Sequence, residues 1–248
     1  MLKLKLSSAI NGAPIFFLEK TTSTMDVAKQ LALDHAPHGS VVWANYQTHG
    51  RGRFTNRPWE SAPGQNLLFT VMLERAELSC PYQILPFLCA LAINYALRDR
   101  FNILTLIKWP NDLLYISQKL AGIICLQAQE FILAGIGLNC NQTDFPASIE
   151  GRTTSLKKIL GFEIERLEVL EAILESLALQ LVNSGWHQEV QKLLWAKDQR
   201  CWYIQEEGGL QNKRYGFPQG ITEKGELLFK DENNQLNRYS VGSYGLAD

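Results

Sequence analysis

A short segment near the middle of the chain sets the strongest limits on its fold. Lys108-Trp109-Pro110-Asn111-Asp112 is followed, after six residues, by Lys119-Leu120-Ala121-Gly122. Pro110 has no backbone N–H and a fixed φ, which favours a turn or strand edge over a helix for Asn111 and Asp112. The apolar segments 113–116 and 120–125 predict two strands joined by Ser117-Gln118. The sequence therefore predicts a hairpin that groups two cations, an amide and a carboxylate, a set suited to an anionic ligand.

A basic, glycine-rich loop precedes this hairpin. It contains Gln47 and Gly50-Arg51-Gly52-Arg53, and it runs through Arg57 to Trp59. Glycines let a ligand approach the backbone closely, and arginines offer forked donors to carboxylate and phosphate oxygens. Strands predicted at 41–43 and 67–72 anchor both ends of the loop. The segment alone leaves two interpretations open, a loop that closes over an anion and a solvated surface loop.

Two further segments add weaker signals. Gly135-Ile136-Gly137-Leu138-Asn139 ends an apolar run, and glycines inside a strand mark close approach of a ligand or another backbone. It lacks the third glycine and the following helix of a dinucleotide-binding motif. Ser23 is suited to be the N-cap of a helix, with Asp26 at the capping-box position. The hydroxyls of Ser23 and Thr24 are thus expected to cap the helix, to contact a ligand, or to do both.

Composition excludes several classes of protein. The 248 residues carry a formal net charge of −1, which gives no reason to expect a surface that coats nucleic acid. The five cysteines form no Cys-x-x-Cys pair and the four histidines show no metal-ligand spacing, so a disulfide framework and a structural zinc are not expected. The N-terminal segment lacks the apolar core of a signal peptide, and no run is long enough to cross a bilayer. We expect a cytoplasmic protein without a membrane partner.

The order of these motifs resembles that of biotin protein ligases. The resemblance rests on four blocks and a weaker match at Thr154-Ser155-Leu156, and it covers roughly residues 15 to 230. The blocks are Thr22-Ser23-Thr24, Gln47 with Gly50-Arg51-Gly52-Arg53, Lys108 through Asp112 with Lys119 through Gly122, and Gly135 through Asn139.

The resemblance implies a fold and two domains. The fold is α+β, with a mixed β-sheet and flanking helices of the class II synthetase-like, biotin/lipoate ligase type, plus a small C-terminal SH3-like β-barrel. We expect the catalytic domain at residues 1–198 and the barrel at 199–248, where short strand-like segments separated by turn residues begin.

The resemblance also implies roles for individual residues. Lys119 and Arg53 would act as the catalytic residues at biotin's carboxylate and the α-phosphate, and Asp112 would bind magnesium. The remaining biotin-binding residues would be Ser23, Thr24, Met25, Gln47, Arg51, Gly52, Gly122, Gly135 and Gly137. The nucleotide would be bound by Arg53, Trp59, Asn111, Lys119 and Asn139. Trp109 would wall the pocket or pack beneath it.

The implied activity is that of an ATP- and Mg²⁺-dependent ligase that forms biotinyl-5′-AMP and transfers biotin to a lysine of a biotin carboxyl carrier protein. A carboxylate must be activated before it can acylate an amine, and the cations suit the charge that builds on phosphate. The implied partners are biotin, ATP and the carrier protein, in a monomer or homodimer. Alternatives are a lipoate or octanoate ligase or transferase of the same fold, and a non-catalytic biotin-binding module. With the first motif at residue 22, we expect no DNA-binding domain and no nucleic acid partner.

The chain departs from the family pattern at several positions. Met25 stands where asparagine is common, and Leu126 stands where glutamate is usual. The loop at 54–58 differs from the family pattern, which makes the mapping of Arg57 unsafe. The C-terminal segment Gly242 through Leu246 lacks the Glu and Arg with which many relatives contact the nucleotide. We expect a divergent enzyme.

Overall fold

The structure is a computed structural model that describes residues 1–53, 58–205 and 213–247. The predicted departures at Phe54, Thr55, Asn56 and Arg57 lie outside the described residues. Within the described ranges, eight strands form one large sheet: β1 Leu2–Ser7, β2 Pro14–Leu18, β3 Val41–Ala44, β4 Leu67–Glu74, β5 Leu106–Lys108, β6 Asp112–Tyr115, β7 Gln118–Ala128 and β8 Phe131–Leu138. The described helices are α1 Thr24–Leu33, α2 Leu85–Phe101, α3 Leu156–Leu160, α4 Arg166–Gln180 and α5 Trp186–Leu193.

The large sheet is mixed, and its strand order is β1-β2-β3-β4-β8-β7-β6-β5. The β2–β3 pair is parallel and every other neighbouring pair of these described strands is antiparallel. Strands β6 and β7 form the hairpin predicted from the apolar segments 113–116 and 120–125, and its turn lies at Ile116 and Ser117 rather than at Ser117 and Gln118. The mixed sheet with flanking helices confirms the predicted α+β fold class.

Alternating side chains divide the large sheet into two buried faces. Val71 packs with the helices on one face, whereas its neighbour Met72 packs with α1 on the other. Helix α2 is buried along most of its length and contacts α4 and α5, as its continuous apolar sequence predicts. Helix α1 contacts β3, β4 and β8. The two faces therefore differ, since one carries three packed helices and the other carries a single helix beside exposed space.

The remaining strands form a second, antiparallel sheet, called the C-terminal sheet below. Its described strands are β9 Cys201–Ile204, β10 Lys213–Ile221, β11 Leu227–Asp231, β12 Leu236–Tyr239 and β13 Ser243–Leu246, in the order β12-β11-β10-β9-β13. The residues Tyr239-Ser240-Val241 predict a strand by their composition. This prediction is wrong, because β12 ends at Tyr239 and residues 240–242 form a turn before β13.

Three hydrogen bonds dock the C-terminal sheet on the rest of the chain. Trp109 is 1% exposed, and its Nε1 donates to Gly225 O at 2.9 Å. Tyr244 donates its hydroxyl proton to Trp195 O at 2.7 Å, and Gln191 Nε2 donates to Ile221 O at 2.7 Å. Trp109 is thus a docking residue between the two sheets. No helix in the described parts of the chain is long and apolar enough to pass through a bilayer.

Candidate active site

A cleft opens on the α1 face of the large sheet, where β7 and β8 meet the basic loop. It encloses about 460 Å³ of empty space, open solvent included, within the range of small-molecule sites. Its lining residues come from all four sequence blocks. They are Ser23, Thr24, Met25, Gln47, Arg51, Gly52, Arg53, Trp59, Asn111, Lys119, Gly122, Ile123, Ile124, Gly135, Ile136 and Gly137.

The floor of the cleft is made by glycines on adjacent strands. Gly122 of β7 and Gly137 of β8 are direct cross-strand partners, and Gly135 lies two residues from Gly137 on the same face. The Trp59 indole covers the pair, so that a Cβ on Gly137 would lie 2.5 Å from Trp59 Cε2. A Cβ on Gly135 would lie 2.8 Å from Met25 Sδ. Glycine is therefore required here for close packing of side chains or ligands on the strands.

One end of the cleft is built from neutral hydrogen-bonding groups. Thr70 of β4 donates its hydroxyl proton to Thr24 Oγ1 at 2.8 Å, and Thr24 Oγ1 donates to Gln47 Oε1 at 3.0 Å. Thr24 N also donates to Gln47 Oε1 at 2.7 Å. Ser23 is the N-cap of α1, as predicted, and its Oγ accepts from Met25 N. These bonds fix the orientation of the Gln47 amide at the helix N-terminus.

The other end is charged. Lys119 Nζ forms an ion pair with Asp112 Oδ1 at 2.7 Å. That carboxylate oxygen is buried and, apart from the ion pair, accepts no hydrogen bond from the described residues. Lys119 Nζ also lies 5.5 Å from the centroid of the Trp59 ring. Asn111 Nδ2 donates to Ile123 O at 2.9 Å, which leaves the side-chain amide oxygen Oδ1 of Asn111 to accept from a ligand.

Backbone hydrogen bonds hold Lys119 in place at the start of β7. Its N–H donates to Arg152 O at 2.8 Å, and its carbonyl accepts from Thr154 N at 3.0 Å. Ser155 ends this segment as the N-cap of α3, with its Oγ accepting from Lys158 N. The weak sequence match at 154–156 therefore corresponds to a segment that supports the Lys119 backbone.

The two arginines of the basic loop have different partners. Arg51 pairs with Asp26 of α1, and both side chains are exposed by more than a third. Arg53 Nη2 donates instead to the backbone carbonyl of Gly242 at 2.7 Å, in the turn between β12 and β13. Asp26 also accepts from the Thr22 hydroxyl, so its carboxylate serves these contacts rather than the predicted capping box. The loop is thus held between α1 and the C-terminal sheet.

Two residues singled out by their sequence positions lie outside the cleft. Asn139 is 2% exposed and donates through Nδ2 to Thr154 O at 3.0 Å, and its contact with the nucleotide stays a prediction. Lys108 Nζ lies 4.8 Å from the centroid of the Trp195 ring. Burial lowers the pKa of Lys108 from its ordinary value, and the charge of Asp112 opposes this shift. Lys108 is thus a partly buried cation that does not line the cleft.

Sequence reasoning missed four groups that shape the cleft. Thr70 was detectable as the single polar residue inside an apolar strand, and Asp26 carried a signal only for helix capping. Ile124 follows Gly122 by two residues on β7, so the two residues face the same side of the sheet. The contact between Gly242 and Arg53 spans 189 residues of sequence, and no local pattern encodes it.

The described residues contain no group of three or more His, Cys, Asp or Glu side chains that could hold a metal by themselves. A magnesium ion is commonly bound through one or two carboxylates together with substrate phosphates and water. Asp112 Oδ1 fits that kind of site, because it offers a buried carboxylate oxygen beside the open cleft, held there by its ion pair with Lys119.

Comparison with known proteins places these features in a family. A model of the Biotin/lipoate A/B protein ligase family matches residues 17–142. The chain is 31% identical over 257 aligned positions to the "Bifunctional ligase/repressor BirA" of Bacillus subtilis (strain 168), covering 97% of this chain and 76% of that protein. It is 31% identical over 152 positions to the "Biotin--[acetyl-CoA-carboxylase] ligase" of Mycobacterium tuberculosis, covering 58% of this chain and 55% of that protein.

The solved structures agree. The biotin protein ligase from Aquifex aeolicus in complex with biotin and ATP superposes with a TM-score of 0.81 at 26% identity, covering 93% of this chain and 97% of that one. The resemblance inferred from the four sequence blocks is thereby confirmed, and the chain belongs to the Biotin/lipoate A/B protein ligase family.

Proposed function

We propose that this enzyme activates biotin with ATP as biotinyl-5′-AMP and then transfers the biotinyl group to a lysine of a biotin carrier protein, the carrier subunit of acetyl-CoA carboxylase. One observation carries the proposal: a single cleft has a neutral hydrogen-bonding end and a cationic end. Biotin has the same polarity, since a neutral ureido ring system is joined by an alkyl chain to a carboxylate.

The neutral end is suited to the ureido and thiophane rings. Gln47, Thr24 and Ser23 present donors and acceptors whose positions are fixed before a ligand arrives. Met25 contributes a buried, apolar thioether over Gly135, which suits contact with a sulfur-containing ring. The glycine floor then lets the alkyl chain cross β7 and β8 toward Lys119.

The charged end is suited to the chemistry of activation. A biotin carboxylate oxygen attacks the α-phosphorus of ATP, the bond to the pyrophosphate oxygen breaks, and pyrophosphate leaves. Negative charge builds on the α-phosphate oxygens, and Lys119 and Arg53 are cations placed beforehand to stabilise it. Both therefore act as catalytic residues in this proposal.

Nucleotide contacts are proposed for Asn111 and Trp59. Asn111 Nδ2 donates to Ile123 O, so the side-chain oxygen Oδ1 of Asn111 would accept from the nucleotide. The Trp59 Nε1 is buried and lacks a hydrogen-bond partner among the described residues, so a ligand oxygen would satisfy it. Asp112 would hold a magnesium ion, which when bound supplies positive charge to the phosphates.

Transfer completes the reaction. The carrier lysine's amine attacks the acyl carbon of the mixed anhydride, the carbon–oxygen bond to AMP breaks, and AMP leaves as the amine loses a proton. Arg53 and Lys119 also stabilise the departing phosphate charge. The residues that stabilise charge during formation of the adenylate thus also stabilise charge when the biotinyl group is transferred.

A direct experiment tests the proposal. The protein is incubated with ATP and magnesium and, in separate reactions, with biotin, lipoate or octanoate, and the acyl-adenylates are identified by mass spectrometry. We expect biotinyl-5′-AMP, which disappears when a biotin carrier domain is added and becomes biotinylated. Preferential formation of lipoyl- or octanoyl-AMP would identify a different ligase. Biotin binding by calorimetry without any adenylate would identify a binding module.

A further inference from the structure

The turn at residues 240–242, between β12 and β13, reaches the cleft from the C-terminal sheet. Ser240 lines a second cleft of about 770 Å³ that lies between the two sheets and shares Arg53 and Asn111 with the first. In the same turn, Gly242 O accepts from Arg53 Nη2 at 2.7 Å. A residue remote in sequence therefore contacts an arginine that the proposed reaction uses.

The orientation of the Gly242 carbonyl is set by the turn itself. Gly242 has φ +134°, a conformation that L side chains rarely adopt, and a Cβ there would lie 2.6 Å from Tyr203 Oη. Tyr203 is fully buried and donates its hydroxyl proton to Val241 O. Its ring stacks on Tyr239, with centroids 3.8 Å apart. The turn is thus attached to a rigid tyrosine of β9.

The kind of acceptor matters for the charge of the arginine. Arg51 is paired with the Asp26 carboxylate, which offsets its positive charge. Arg53 Nη2 donates to the neutral carbonyl of Gly242, and this bond helps to orient the guanidinium. Because a guanidinium has five N–H donors in a fixed fork, fixing one Nη2 bond directs the others.

We propose that the 240–242 turn is a positioning element for Arg53, with Tyr203 and Gly242 as its positioning residues. The C-terminal sheet thereby takes part in adenylate formation through a backbone carbonyl, although its last strand lacks the Glu and Arg typical of relatives. The catalytic part of this inference rests on the proposed function, whereas the effect on the loop does not.

A matched pair of variants tests the inference. Tyr203→Phe removes the hydroxyl that holds Val241 O and keeps the ring stack. Tyr244→Phe removes an equivalent bond from a buried tyrosine of the same sheet to a backbone carbonyl, Trp195 O, and does not touch the turn. Denaturant unfolding measures how far the loss of one hydrogen bond lowers the free energy of unfolding in each variant, an effect that the two variants should share.

Hydrogen exchange of the ligand-free protein gives a readout independent of activity. We expect Tyr203→Phe to increase exchange in peptides spanning residues 48–53, and Tyr244→Phe to leave these peptides as in the wild type. Equal exchange in the two variants would overturn the positioning role. This outcome is interpretable even if the protein forms no biotinyl-AMP, in which case only the proposed function fails.

Kinetics give the second readout. We expect Tyr203→Phe to lower kcat for adenylate formation by about tenfold, since loss of orientation at a reacting group costs less than its removal. In an Arg53→Ala background, the same substitution should have no further effect on kcat, because Tyr203 acts through Arg53. A tenfold loss that persists without the arginine would show a merely structural role for Tyr203.

Discussion

The two ends of the cleft are built in different ways. At the neutral end, Thr70, Thr24 and Gln47 form a hydrogen-bonded chain between β4, the start of α1 and the loop, and both threonines are buried. At the charged end, Lys119 and Asp112 have side chains that are 35% and 24% exposed. The neutral groups are joined by hydrogen bonds before a ligand arrives, whereas the charged end rests on an ion pair whose carboxylate oxygen accepts no hydrogen bond from the described residues.

This difference predicts that the two ends of the cleft contribute to different kinetic constants. Hydrogen bonds that a substrate makes equally in the ground state and transition state lower KM and leave kcat unchanged. Cations that meet charge only as it develops raise kcat. Substitutions at the neutral end should therefore change mainly KM for biotin, and substitutions at the charged end should change mainly kcat.

The largest effect is expected at Lys119. Lys119→Ala should lower the rate of adenylate formation a few hundredfold, because loss of a preorganised cation costs on the order of 3 kcal/mol. Single-turnover kinetics measure the rate. Lys213→Ala, which removes an exposed lysine of β10, is the control and should leave it unchanged. A Lys119→Ala enzyme with wild-type turnover would remove Lys119 from the proposed chemistry.

The glycine floor should give the next largest effect. Gly137→Ala places a methyl group against the Trp59 ring, and Gly135→Ala places one against the flexible end of Met25. Overpacking costs about 1–3 kcal/mol, and a thioether yields more easily than an indole. We expect biotin affinity by calorimetry to fall about tenfold or more for Gly137→Ala and by less for Gly135→Ala. The reverse order would mean that Trp59 does not cover the floor.

A third substitution probes the neutral end directly. Gln47→Leu removes the acceptor of two bonds from Thr24, and neutral hydrogen bonds contribute about 0.5–1.5 kcal/mol each. KM for biotin should rise about tenfold while kcat stays within about twofold of wild type. Steady-state kinetics with biotin as the varied substrate measure both. A fall in kcat with unchanged KM would show that Gln47 acts in the reaction rather than in biotin binding, and would contradict the proposed difference between the two ends.

The smallest effect is expected at the exposed pair between Asp26 and Arg51. Asp26→Asn should weaken biotin binding by less than about 1 kcal/mol, because solvent screens this pair. Binding measured at low and high salt should show the wild type approaching the variant as salt increases. A large, salt-independent loss would indicate that Arg51 contacts the ligand only when Asp26 orients it.

The large sheet could be predicted from sequence because its signals are local. The apolar segments 113–116 and 120–125 predicted the β6–β7 hairpin, the apolar run 131–134 predicted the start of β8, and Ser23 predicted the start of α1. The residues that line the cleft were identified by resemblance, since the motifs are ordered along the chain. Local sequence patterns were therefore sufficient to predict individual strands, turns and helix starts.

Long-range contacts account for what the sequence did not predict. The strand expected at 239–241 is shifted because Gly242 adopts a positive φ against Tyr203, a residue of another strand. Asn139 follows a glycine-containing strand, a position that suggests contact with a ligand. Its amide instead donates to Thr154 O. Asp26 was predicted to cap a helix, but its carboxylate forms an ion pair with Arg51. Each outcome depends on a partner that no local pattern contains.

The most direct test of the account is biotin-dependent exchange of labelled pyrophosphate into ATP, measured over a range of biotin concentrations for the wild type, Lys119→Ala and Gln47→Leu. We predict exchange that requires biotin, a plateau lowered a few hundredfold in Lys119→Ala, and a half-saturating biotin concentration raised about tenfold in Gln47→Leu. Exchange that proceeds without biotin, or two variants that change the same parameter, would contradict the account.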